Sequence, residues 1–119
     1  MHTVSLKEKF DLLSDHWKQR VIGELNDCEV KIVKVKGEFV WHHHDREDEL
    51  FLVTQGTLRM KFQDREELVG PGEFIIVPHG VEHCPVADEE VHIVLIEPKT
   101  TVNTGNIVNE RTVAQLERI

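Results

Sequence analysis

From about Trp17 onward, short apolar segments recur at close intervals, each ended by a turn signal and none separated from the next by a helical stretch. ELFLV runs to Gln55-Gly56, TLRMKFQ to Asp64-Arg65, and EFIIV is bracketed by Pro71-Gly72 and Pro78-His79-Gly80. VHIVLIE follows the polar run Ala87 to Glu90 and stops at Pro98. This spacing predicts antiparallel strands joined by tight connections, in a sandwich or barrel. It excludes βαβ units, whose parallel strands need long crossovers. The fold class is all-β.

Only the two ends read as helix. Ser5 and Glu8 have capping-box spacing, and Leu6, Phe10 and Leu13 fall on one helical stripe. At the other end, ERTVAQLERI suggests a short terminal helix after polar KTTVNTGNIVN, in which Asn103 to Gly105 reads as a turn. CEVKIVKVK alternates as a strand should, but its phase slips between Ile32 and Val33. A bulge, or a strand covered on both faces, accounts for the slip.

A length of 119 residues fits one domain, 1–119, without internal linkers. With five Phe, two Trp and no Tyr, its core must be largely aliphatic. Twenty-two acidic residues against fourteen basic ones leave a net charge of −8. Nucleic acid and anionic membranes, which attract concentrated Lys and Arg, are therefore excluded as partners. No apolar run is long enough for a transmembrane helix, and the charged start lacks a secretory signal. Cys28 and Cys84 are expected to be free thiols, and the expected location is the cytoplasm.

GEFVWHHHDREDELFLVTQG carries the chemistry. Alternation along an extended chain puts His42 and His44 on one face and Trp41 and His43 on the other. The acidic turn Asp45 to Asp48 leads to Glu49, which shares a face with Phe51 and Val53. Folding the hairpin back brings Glu49 beside the histidine pair, and His83 is a fourth candidate ligand. Three neutral imidazoles and a carboxylate suit Fe, Mn, Co, Ni, Cu or Zn, and are too nitrogen-rich for Mg or Ca. On an octahedral divalent ion they leave two positions open to water or a chelating substrate.

These residues resemble the two motifs of a small single-domain cupin, of the mannose-6-phosphate-isomerase-like, conserved-barrel type. Gly37, His42, His44, Glu49 and Gly56 match the first motif, with four residues between His44 and Glu49 and six between Glu49 and Gly56. Four residues instead of five separate Gly37 from His42. Gly72, Pro78, Gly80 and His83 match the second motif, in which Ala87 stands where the family has Asn, a residue that is not a metal ligand. The resemblance implies a jelly-roll (double-stranded β-helix) barrel, with short N- and C-terminal helices in this chain. It also implies a divalent transition metal on His42, His44, Glu49 and His83, a small-molecule substrate or ligand, and a homodimer. It does not imply one reaction, because relatives include dioxygenases, isomerases, decarboxylases, lyases and non-catalytic binders.

The remaining candidates have plainer readings. His43 is an outward bystander and His79 a turn residue; the face of His92 is open. Asp48 competes with Glu49 as the carboxylate ligand, but the six-residue gap to Gly56 favours Glu49. Cys84, next to His83, must face away from a metal and reads as a small buried hydrophobe. Met60, Phe51 and Phe74 are candidates for the apolar cavity wall. No separate general base and no second carboxylate on a pocket face stand out. Isomerase-like and dioxygenase-like chemistry therefore both stay open, beside a non-catalytic binding module and a metal that only staples the barrel.

Overall fold

The computed structural model describes residues 1–119. One short helix, α1 (Leu6–Asp11), precedes eight strands. They are β1 (Arg20–Leu25), β2 (Cys28–Glu38), β3 (Glu49–Gln55), β4 (Leu58–Lys61), β5 (Glu66–Val69), β6 (Phe74–Val77), β7 (Cys84–Pro98) and β8 (Glu117–Arg118). No helix is long and apolar enough to cross a membrane.

The fifteen-residue β7 organises the sheet. On one edge it pairs with β2, from Cys28↔Pro98 to Glu38↔Val86. On the other edge its C-terminal half pairs with β3 and its first residues with β4. β6 then extends β3, and β5 extends β4. Register shifts between Val35 and Gly37 in β2 and between Val53 and Gln55 in β3 let the sheet bend where these leaves diverge. This is the all-β jelly roll that the motifs imply.

Twelve buried side chains fill the interior, among them Val33, Val35, Phe51, Val53, Leu58, Met60, Ile93 and Leu95. Outside the barrel, Ile32 of β2 and Val94 of β7 pack against Phe10 and Leu13. The phase slip at Ile32–Val33 is therefore a strand covered on both faces, with α1 supplying the outer cover. Ser5 caps that helix, its side chain accepting from Glu8 N at 3.2 Å.

The C-terminal helix expected over ERTVAQLERI does not form. Asn103 intercepts this stretch: its Oδ1 accepts from Val113 N and its Nδ2 donates to Arg111 O. Such side-chain bonds offer the backbone an alternative to helix. The end of the chain instead pairs as β8, parallel to β1.

Candidate metal centre

The two motifs meet through the main chain. His42 lies outside the named strands, yet its N donates to His83 O at 3.0 Å and its O accepts from His83 N at 2.9 Å. This isolated antiparallel bridge places the two residues opposite each other. Glu49, the first residue of β3, faces the same interior. Ligand atoms of His42, His44, Glu49 and His83 all lie within 4.8 Å of one another, and all four residues are buried.

The protonation pattern indicates what the cluster lacks. His42 Nδ1 lies 2.9 Å from Val40 O and His83 Nδ1 lies 2.8 Å from Val81 O. A carbonyl only accepts, so each imidazole keeps its proton on Nδ1 and leaves Nε2 as a bare lone pair. Glu49 Oε1 lies 2.9 Å from His44 Nε2 and 3.3 Å from His83 Nε2. These three atoms are buried and have no hydrogen-bond partner. With the proton of His83 committed to Nδ1, its Nε2 and Glu49 Oε1 face each other as two buried acceptors, which a cation would satisfy. Ligands about 2.1 Å from one ion are about 3.0 Å apart at right angles and about 3.4 Å apart in a tetrahedron, each within about 0.1 Å of one of the two contacts. The four residues thus fit a divalent transition metal, with a net site charge near +1.

Burial opposes ionisation of Glu49, but the proton offered by Glu97 and the imidazoles of His44 and His83 outweigh it. They hold the carboxyl well below its usual range. For His42, burial and then the neighbouring His83 lower the imidazole to about 4, which favours the neutral, ligating form.

A second carboxylate stands beside the first, though not among the residues that line the cavity beside the ligands. Glu97 follows Ile93 and Leu95 in phase on β7, and the β3–β7 register Leu50↔Ile96 sets it next to Glu49. Its Oε1 accepts from Lys31 Nζ at 2.9 Å, and both side chains are at most 1% exposed. Burial, followed by the charge of Glu49, pushes Glu97 well above the usual carboxylate range against the pull of Lys31.

A cavity of about 30 Å³ adjoins the ligands. His42 and Glu49 face it, Val33, Val35, Phe51 and Leu95 form apolar walls, and Trp17, Gln19, Phe39 and Asn103 are also among the lining residues. Of the candidate wall residues, Phe51 lines the cavity and Met60 is buried in the core, whereas Phe74 is 59% exposed on the outside. The turn after β7 braces the histidines: His43 N donates to Asn106 Oδ1 and Asn106 N to His43 O. Gly105 (φ +57°) allows that approach, since a Cβ there would lie 2.1 Å from His43 O.

The other candidates fall away from the site. His43 pairs with Glu82 at 2.7 Å, and His79 with Asp48 at 2.8 Å, which removes Asp48 as a ligand. His92 stacks on Phe10 outside the barrel. Cys84 is fully buried, and burial pushes its thiol up to about 11. Gln19, Glu97 and Arg111 escaped the sequence reading. Only Glu97, a charge at the end of an apolar run, offered any signal.

The family model described as "Cupin domain" matches residues 30–97, more than half of the chain. The chain belongs to the cupin family. This cupin is 48% identical to a cupin-2 domain containing protein from Shewanella frigidimarina NCIMB 400, with a TM-score of 0.80 over 81% of this chain and 94% of that one. Protein NMB1881 from Neisseria meningitidis is 26% identical, with a TM-score of 0.76 over 82% of the cupin and all of that chain. The "Uncharacterized protein YdbB" of Bacillus subtilis (strain 168) is 40% identical over 63 residues, 52% of this cupin and 56% of that protein. The matched stretch is thus little more than half of that curated relative.

Proposed function

We propose that this cupin is a metal-dependent enzyme acting on a small oxygen-rich substrate. The observation that carries the reading is the convergence of His44 Nε2, His83 Nε2 and Glu49 Oε1, three buried atoms without hydrogen-bond partners. His42 and Glu49 also face the cavity, so a ligand there would lie beside the side chains that would hold the metal. His42, His44, Glu49 and His83 would hold a divalent ion, which would supply Lewis acidity for oxygen-bearing substrates when bound. The chain does the rest. Main-chain carbonyls fix the tautomers of His42 and His83, Glu97 steadies Glu49, and Val33, Val35 and Phe51 keep water from the reacting end. Isomerase-like and dioxygenase-like reactions share these requirements, and a homodimer is the proposed assembly.

Metal analysis of the purified protein, followed by a panel of diketones, sugars and sugar phosphates with and without oxygen, tests this. Stoichiometric metal is expected, with turnover that changes sharply on metal exchange while Tm moves little. The reading fails if His42→Ala with His83→Ala leaves metal content unchanged. It also fails if metal removal only lowers Tm and no exchanged form turns over any panel member.

A further inference from the structure

Against two aromatic residues of the cavity lining, Trp17 and Phe39, lies an arginine with nothing to bind. The Trp17 and Phe39 rings stack with centroids 4.8 Å apart, and Phe39 meets the His42 ring edge-on at 5.5 Å. The Arg111 guanidinium lies over both aromatics, 5.4 Å from the Trp17 centroid and 5.7 Å from that of Phe39. Its backbone is fixed: Arg111 N donates to Asn109 Oδ1, and Arg111 O accepts from Asn103, which lines the cavity. Arg20, Arg59, Arg65 and Arg118 all pair with carboxylates within 3.1 Å. Arg111, half-buried in a chain of net charge −8, has no carboxylate partner, and the other arginine without one, Arg46, is exposed on a turn.

Two further observations point into the same space. Gln19 Oε1 is buried, lines the cavity and has no donor, so its missing partner is an O–H or N–H. Trp17 is held at φ +67°, a conformation a bulky residue adopts only under constraint. Its N donates to Lys34 O and its Nε1 to Lys36 O, which fixes the ring that carries Arg111.

We propose that Arg111 docks the anionic tail of a substrate whose other end chelates the metal: a small hydroxy- or oxo-acid bearing a second carboxylate or a phosphate. The proposal rests on the metal-centre reading. One aromatic ring, Phe39, separates Arg111 from His42, which sets the reach of the ligand at a few carbon atoms. The guanidinium fork matches a carboxylate or phosphate bidentately, and its charge adds to the net positive charge of the loaded centre. Binding the tail draws Arg111 off the ring faces, exchanging a cation–π contact for an ion pair.

Co(II)-loaded protein, read by its visible absorption, tests this with three ligands that share an α-hydroxy-acid head: lactate, malate and 3-phosphoglycerate. The parent should bind malate or 3-phosphoglycerate at least about tenfold more tightly than lactate, the size expected of a charge-assisted pair. Which of the two is preferred tells carboxylate from phosphate. Arg111→Met keeps the apolar cover without the charge and should bring all three ligands within about threefold, at unchanged Co(II) affinity. Arg111→Lys should restore part of the preference. A Met variant as selective as the parent, or a parent with no preference, overturns the role of Arg111 while leaving the metal centre intact. A parent that binds no stoichiometric Co(II) overturns the metal centre and this proposal with it.

Discussion

Replacing Glu97 separates two ways in which a buried acid can hold a barrel together. In Glu97→Leu the Lys31 ammonium, 1% exposed, loses its partner at 2.9 Å, and the nearest remaining carboxylate oxygen is Glu29 Oε1 at 4.0 Å. Removing one member of a buried pair costs about 3–5 kcal/mol, because the other charge stays desolvated. A domain of this size has roughly 5–15 kcal/mol in total, so the variant should lose about a fifth or more of its stability. Glu97→Gln should behave differently. Burial and the charge of Glu49 already favour the acid form of Glu97, which the amide mimics: its carbonyl accepts from Lys31 and its N–H faces Glu49. A cost within about 1 kcal/mol is expected. Urea unfolding of the metal-free proteins, compared at constant m, reads both values. Equal losses in the two variants would show that the negative charge of Glu97 is required and would refute the acid-form argument. A Leu variant as stable as the parent would refute the buried-pair argument altogether.

Gly105→Ala should cost about 1–3 kcal/mol and weaken metal binding, because its Cβ would meet His43 O at 2.1 Å and His42 Cδ2 at 3.2 Å. Gly72→Ala, with φ +80° and nothing within 4 Å, should lose only the backbone term, about 1 kcal/mol, and leave metal affinity alone. His16 and then His92 lower Glu90 to about 2 from its ordinary 4.5. A depressed carboxylate contributes stability above its unfolded pKa and loses it as pH falls through the folded one. Thermal melts of the parent and Glu90→Gln should therefore differ at neutral pH and converge as pH drops from 4.5 toward 2. A disulfide reagent should label Cys28 in the folded protein and reach buried Cys84 only after unfolding, since that thiol is pushed up to about 11. Two thiols labelled at equal rates would contradict the packing around Cys84.

Much of the site was legible because alternation is geometry. Once His42 and His44 share a face, turn spacing fixes Glu49 and His83, and the four meet. What the sequence hid lies where both faces of a strand are covered. In VHIVLIE the inward residues Val91, Ile93, Leu95 and Glu97 alternate with His92 and Val94, which also pack, and with half-buried Ile96. No phase could be read there, so neither the outward turn of His92 nor the inward one of Glu97 was evident. The C-terminal stretch misled for another reason. Its helical pattern is local, whereas the bonds that replace the helix come from Asn103, earlier in the chain. Arg111 was invisible for the same cause, since its neighbours Trp17 and Phe39 are distant in sequence.

The paired hydrogen bonds between His42 and His83 also bear on how the protein acquires its shape. They join chain segments separated by all of β3 to β6, a contact formed only after a long loop has closed. An ion that needs both imidazoles would bind the closed form and not the open chain, so it would act as a clasp on a long-range seam of the barrel. If the seam is still open in the folding transition state, metal will leave the folding rate nearly unchanged and slow unfolding. The loaded protein would then owe its persistence to kinetics, outlasting the bare barrel by more than its rate of assembly suggests.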